Sequence, residues 1–157
     1  MDYAKILSRL FVGSHPQTTD DIDELQRDLA ITAVLNLQTD EDMAAVNLNW
    51  QPLEARYATS GVDLFRVPMK EEQAEMREKL LQCVTTVERL LAADHTVYLH
   101  CTSGIGRSPT VAIGYLHFCL GWELDAAIGH VKQVRQCSPH LEELRLAILD
   151  HGKTRII

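Results

Sequence analysis

Apolar and polar positions alternate in blocks along the 157-residue chain, and the period changes from block to block. "LFVGS" (Leu10–Ser14) is a short apolar run stopped by turn residues, a strand pattern. "TTDDIDELQRDLA" (Thr18–Ala30) has helical spacing, with Thr18 or Thr19 able to cap it and Asp20 and Asp21 where the helix dipole favours negative charge. "ITAVLNL" (Ile31–Leu37) is almost continuously apolar, as a parallel strand buried on both faces should be. Gln38 to Ser60 is polar and irregular, with room for short helices. "VDLFRVP" (Val62–Pro68) alternates and stops at its proline. From Glu75 to Ala93, residues Met76, Leu80, Leu81, Val84, Val87, Leu90 and Leu91 form a helical stripe. "HTVYLH" (His95–His100) is the next strand. Ser108–Leu120 is an apolar helix closed by Gly121, and Glu123–Gln136 is another. A last helix is predicted with Ser138 as its cap, Pro139 at its first position, and Glu142 and Glu143 in its first turn. Strands alternating with helices predict an α/β fold, a central, mostly parallel sheet flanked by helices in one domain over residues 1–157.

Composition narrows the classes. With 46% hydrophobic residues the chain can bury a core without disulfides. The net charge of −7, from 15 basic and 22 acidic residues, argues against nucleic acid or an anionic membrane as partner. An anionic ligand would need a local positive site working against the overall field. No apolar run reaches the ~18 residues of a membrane span. "MDYAKILSRL" lacks a signal-peptide pattern, so a cytoplasmic location is expected.

Cys83, Cys101, Cys119 and Cys137 show no C-x-x-C spacing, and the histidines show no paired spacing. No metal site and no cofactor are therefore expected. In a reducing compartment the four should be free thiols. Cys83 and Cys119 fall in helical stripes, where packing is the ordinary role. Nothing in the sequence says whether Cys83, Cys119 or Cys137 approaches Cys101, and nothing sets an oligomeric state.

One stretch carries chemistry. In "VYLHCTSGIGRSPT" (Val97–Thr110) an apolar run ends at His100-Cys101, five residues follow, and Arg107-Ser108-Pro109 opens a helix. Small residues and the glycines at 104 and 106 let a backbone fold into a cradle whose N–H groups face inward, an anion nest. The helix behind it adds the positive end of its dipole. Arg107 offers a planar fork matched to a tetrahedral oxyanion, so phosphate is the natural occupant. The same field favours the thiolate of Cys101, which is the nucleophilic form. One loop thus combines a nucleophile with a pocket for the group it attacks, and in-line attack would give a phosphocysteine that water then hydrolyses.

"HCTSGIGRSP" resembles the signature loop of the cysteine-dependent phosphatases, and specifically of their dual-specificity branch. "YAKILSRLFVGSHPQTTDDIDELQRDLAITAVLNLQTDED" resembles the opening of plant-type, laforin-like glucan phosphatases. Together the similarity covers about Tyr3 to Ala147. It implies a phosphatase-type three-layer domain with Cys101 as nucleophile, Arg107 as phosphate ligand, and Thr102, Ser103, Gly104, Ile105 and Gly106 as backbone donors. It further implies that His100 tunes the loop and the thiolate through hydrogen bonds. Ser108 would aid thiol activation and phosphoenzyme breakdown. Glucan phosphatases tend to have alanine at that position, which brings Ser108 closer to the wider protein-phosphatase pattern.

The family's general acid is an aspartate after the preceding strand, but "RVPMKEEQAEMREKL" (Arg66–Leu80) contains none. Anchoring Arg66, Pro68 and the helix near Met76 requires a one-residue deletion. This puts Glu71 at the acid position, with Glu72 the alternative and Asp63 a weaker one. Without any acid, phenolic leaving groups would be favoured over alkoxides. Glucan phosphatases place an aromatic directly after the acid, where this chain has Glu72. Trp50 and Tyr57 could flank the pocket, although packing is the commoner use of large aromatics. These features point to a phosphoprotein substrate with phosphotyrosine favoured. A phosphoglucan or other small phosphoester is the alternative, and a module that only binds phosphate is the third possibility.

Overall fold

The computed structural model describes residues 1–153. A five-stranded sheet runs in the order β1-β2-β5-β3-β4. Strands β2 (Leu10–Gly13), β5 (Val97–His100), β3 (Ala33–Asn36) and β4 (Asp63–Arg66) are parallel. Strand β1 (Tyr3–Leu7) pairs antiparallel with β2 at one edge. It was not anticipated from the sequence. Only Ile6 of its five residues is buried, so its apolar pattern is too thin to stand out.

Side-chain alternation along the strands divides the core in two. Phe11, Val34 and Tyr98 face α1 (Thr19–Leu29) and α3 (Trp50–Ser60), where Ile22, Leu25 and Tyr57 complete one cluster. Val12, Leu35 and Leu99 face the other side, against α4 (Gln73–Ala92), α5 (Arg107–Phe118), α6 (Leu124–Val134) and α7 (Leu141–Lys153). The result is a three-layer α/β domain with helices on both faces of the sheet. Helix α5 is the central one, and every residue from Arg107 to Leu116 is buried.

The irregular stretch after β3 holds α2 (Asp40–Ala45) and α3. Thr18 caps α1 and Thr39 caps α2, each through a reciprocal capping box with an aspartate at the third helical position. Trp50 and Tyr57 take the packing role that is commoner for large aromatics rather than flanking the pocket: they pack on each other in the α1–α3 cluster, with ring centroids 6.4 Å apart. The last helix departs from expectation. It begins at Leu141, so Ser138 does not cap it and Pro139 is not its first residue. The Ser138 N–H is used elsewhere, donating to the Ile105 carbonyl at 2.8 Å.

Gly13, His100 and Asn36 lie side by side at the C-terminal ends of β2, β5 and β3. This is the edge of an open α/β sheet at which ligands are usually bound. The loop from Cys101 to Gly106 leaves the sheet there, between β5 and α5.

Candidate active site

The cradle is built by turning its carbonyls outward. The Cys101 carbonyl accepts from His100 Nδ1 at 2.8 Å. That of Thr102 accepts from the His15 N–H at 2.9 Å. Arg135 takes the next two, donating from Nη2 to Ser103 O at 3.1 Å and from Nε to Gly104 O at 2.6 Å. Ile105 O accepts from Ser138 as described, and Gly106 O accepts from Thr110 Oγ1 at 2.8 Å. In a planar trans peptide the N–H points opposite to the C=O of the same unit. Carbonyls held outward from Cys101 to Gly106 therefore turn the N–H groups of Thr102, Ser103, Gly104, Ile105, Gly106 and Arg107 to the concave side. That is a nest for an oxyanion, extended by the N-terminus of α5. One of these donors, the Ile105 N–H, lies 3.3 Å from Ser103 Oγ, a long bond that an anion can displace.

Glycine is needed at position 104. The backbone there is left-handed (φ 72°), and a Cβ would run into the backbone of Gly13 at the end of β2. Arg135 is itself locked from behind by an ion pair of 2.6 Å with Asp2. Tyr98, buried in the sheet, ties the neighbouring Ser14 carbonyl through its hydroxyl at 2.5 Å.

Cys101 lies at the floor of the cradle, 2% exposed, with Sγ 3.3 Å from Ser108 Oγ. His100 is fully buried, and desolvation pushes its pKa down to about 4. Its ring is therefore neutral near pH 7, with the hydrogen on Nδ1 that the Cys101 carbonyl requires.

Arg107, the first residue of α5, is 4% exposed. Its Nη1 donates to Asp42 Oδ2 and to the Met69 carbonyl, both at 2.7 Å. Its Nε is buried and has no partner among the described residues. One side of the fork is thus anchored to protein, while a donor on the other is left over for an anion. Burial opposes ionisation of Asp42, but the Arg107 guanidinium and the Thr39 N–H outweigh it and hold the carboxyl below its usual range.

Glu71 stands across the mouth. Its Oε1 lies 2.9 Å from His140 Nε2, and a Cβ built on Gly106 would fall 2.8 Å from the same oxygen. Glu72 is instead the residue preceding α4, where its side chain makes no capping bond. Asp63 lies at the N-terminal end of β4 beside His95, at the opposite edge of the sheet from the loop. Position alone removes it as an acid.

The remaining cysteines are free. Burial pushes the Cys83 thiol up to about 12, and burial together with Glu88 does the same at Cys119. Both are poor nucleophiles. Among the described residues no cluster of three or more His, Cys, Asp or Glu side chains is placed to hold a metal ion. No helix among them is long and apolar enough to cross a membrane.

A family model described as the catalytic domain of dual specificity phosphatases matches residues 10–151. The chain belongs to that family. Among curated relatives it is 32% identical over 160 residues to the chloroplastic phosphoglucan phosphatase LSF1 of Arabidopsis thaliana, covering 98% of this chain and 27% of that protein. It is 33% identical over 135 residues to laforin of Mus musculus, covering 79% of this chain and 41% of laforin. The phosphatase domain thus spans well under half the length of these relatives. Among solved structures, PTPMT1 superposes with a TM-score of 0.78 at 20% identity, covering 97% of this chain and 95% of its own. The active form of Tk-PTP gives 0.78 at 24% identity, covering 97% of both chains. These two share the phosphatase fold.

Asp42, Arg135 and His140 were not read from the sequence as parts of the site. Asp42 carries a local signal, since "TDED" (Thr39–Asp42) is a capping box, but nothing local says that the same carboxylate reaches Arg107. Arg135 and His140 lie in the linker between α6 and α7 and meet the loop only through the fold.

Proposed function

We propose that residues 1–157 act as one catalytic domain that hydrolyses phosphomonoesters through a phosphocysteine. The observation that carries this reading is the row of outward-held carbonyls that follows the buried Cys101, which leaves a set of N–H donors unclaimed by the loop, together with the buried, unpartnered Arg107 Nε. The donors Thr102 to Arg107 bind the three terminal oxygens of the phosphoryl group. The Cys101 thiolate attacks phosphorus in line, forming the S–P bond as the ester P–O bond breaks. Glu71 gives its proton to the departing oxygen. Water then attacks the phosphocysteine and passes a proton to the Glu71 carboxylate. The P–S bond breaks, the thiolate is regenerated, and inorganic phosphate leaves. His100 holds the Cys101 carbonyl away from the anion. Ser108 donates to the leaving sulfur in the second step.

The substrate favoured by the site's own residues is a phosphoprotein. Glu72 stands after the acid where glucan phosphatases have an aromatic, and Trp50 and Tyr57 are used in packing. A phosphoglucan is the second reading, favoured by the relatives named above. A cytoplasmic setting belongs to the proposal as well, since four free thiols suit a reducing compartment. Assaying an activated aryl phosphate, tyrosine- and serine-phosphorylated peptides and phosphorylated amylopectin side by side separates the two substrate classes. Turnover of all of them should vanish in Cys101→Ser. Binding of phosphate without turnover by the unmodified domain would leave only the binding-module reading.

A further inference from the structure

We infer that His140 is a positioning residue that latches the acid loop by holding Glu71 over the mouth of the cradle. This rests on the acid role proposed above for Glu71. His140 belongs to the frame of the cradle rather than to the acid loop. Two residues before it, the Ser138 N–H donates to Ile105 O at 2.8 Å. The His140 N–H itself donates to Thr110 Oγ1 at 2.8 Å, and that hydroxyl donates on to Gly106 O. The backbone of the α6–α7 linker is therefore fastened to the phosphate loop at Ile105 and Gly106, and the imidazole extends from a fixed point.

The acid loop has fewer ties of its own. The Lys70 N–H donates to Glu75 Oε2 at 2.6 Å, and the Met69 carbonyl accepts from Arg107. Between them, Lys70, Glu71 and Glu72 are all exposed, and the turn into α4 has no side-chain cap. The bond that fixes the direction of the Glu71 side chain is the one to His140 Nε2, at 2.9 Å. The pair rests directly on the backbone where α5 begins. A Cβ on Gly106 would lie 2.7 Å from His140 Nε2 and 2.8 Å from Glu71 Oε1. With side chains 28% and 54% exposed, the pair adds little to stability, so its consequence is geometric. Oε1 accepts from the imidazole, and Oε2 is left to carry the proton to the leaving oxygen. A glutamate is longer than the family's aspartate and has one more torsion to restrain, which is the work the latch does.

The test compares His140→Ala, His140→Gln, Glu71→Gln and the double variant Glu71→Gln/His140→Ala. Each is assayed on 4-nitrophenyl phosphate, whose leaving group needs little protonation, and on a phosphoserine peptide, whose leaving group needs it. Glu71→Gln is expected to lower kcat on the peptide far more than on the aryl ester. His140→Ala should lower kcat on the peptide about tenfold, with KM and aryl turnover nearly unchanged. His140→Gln, which keeps a donor, should recover about half or more of the loss. In the Glu71→Gln background, His140→Ala should cost nothing further. A leaving-group effect in Glu71→Gln that His140→Ala does not share, or losses that multiply in the double variant, would overturn the latch and leave the acid standing. No leaving-group effect in Glu71→Gln would remove the acid and the latch together.

Discussion

Two loops face each other across the site, and they are built on opposite plans. The Cys101 loop is over-determined. Its carbonyls are claimed one after another by His100, His15, Arg135, Ser138 and Thr110, which come from the start of the chain, β5, α5 and the α6–α7 linker. Cys101, Gly104, Gly106 and Arg107 are buried. The Glu71 loop is the reverse, exposed and held by isolated bonds at Met69, Lys70 and Glu71. A cradle that must present several donors to one dianion cannot relax between turnovers without losing preorganisation. A proton donor need only be in place when the ester bond breaks, and its loop has to let substrate in and phosphate out.

The contrast can be broken at several points. The largest effect is expected on the rigid side. Arg107→Lys keeps the charge but loses the fork that bonds Asp42, Met69 and the anion together, and kcat should fall about 10³-fold on every substrate regardless of leaving group. A loss confined to poor leaving groups would place Arg107 on the acid side of the site instead.

On the exposed side, Glu71→Gln should cost about 10²-fold on a phosphoserine peptide and little on 4-nitrophenyl phosphate. Gly106→Ala, whose methyl would press on both Glu71 and His140, should reproduce that leaving-group profile in milder form. Uniform losses in Gly106→Ala would show that the cradle was damaged rather than the acid.

Asp42→Asn is expected to lower kcat about tenfold by freeing one side of the Arg107 fork. It should also lower Tm near neutral pH. The Asp42 carboxyl is held below its usual range, so its contribution is present above the pKa it has when unfolded and is lost as pH falls through the folded value. The Tm gap between the unmodified protein and Asp42→Asn should therefore close in acid. A gap that does not change at all between neutral pH and strong acid would contradict the assignment.

The last effect concerns stability alone. His100 has an ordinary pKa of 6.5 and is pushed down to about 4 by burial. The unfolded chain thus takes up its proton before the folded one does. Stability should be complete above about pH 6.5 and fall by roughly 3 kcal/mol by pH 4. Urea denaturation across that range should show a slope that His100→Gln reduces by the share of one proton. Equal slopes in both proteins would mean that His100 is not buried neutral.

The same contrast governs what could be read from the sequence. The Cys101 loop announces itself because nucleophile, glycines, arginine and helix start are contiguous, and a nest is a local backbone event. Most of the parallel strands were legible for a similar reason, since burial on both faces leaves a dense apolar run. The sequence left Glu71 and Glu72 as alternatives for the proposed acid, because which of two adjacent glutamates faces the cradle depends on where α4 starts. Glu72 becomes the residue before the helix, and Glu71 swings to His140. Asp42, Arg135 and His140 are joined to the site by contacts spanning 65, 31 or 32, and 69 residues of sequence, which no local pattern encodes. Edge strand β1 was missed because a single buried position in five leaves almost no apolar signature. The start of α7 was misplaced because Ser138 and Pro139 look like a cap while serving as a strap to the loop.

The central claim is that the Cys101 sulfur takes the phosphoryl group from substrate. It is tested most directly by acid-quenching the domain during turnover of a ³²P-labelled aryl phosphate and mapping the label by peptide mass. The account predicts an acid-stable phosphoryl group on Cys101, more of it in Ser108→Ala because breakdown is slowed, and none in Cys101→Ser. Undiminished turnover in Cys101→Ser, or label recovered on any other residue, would contradict it.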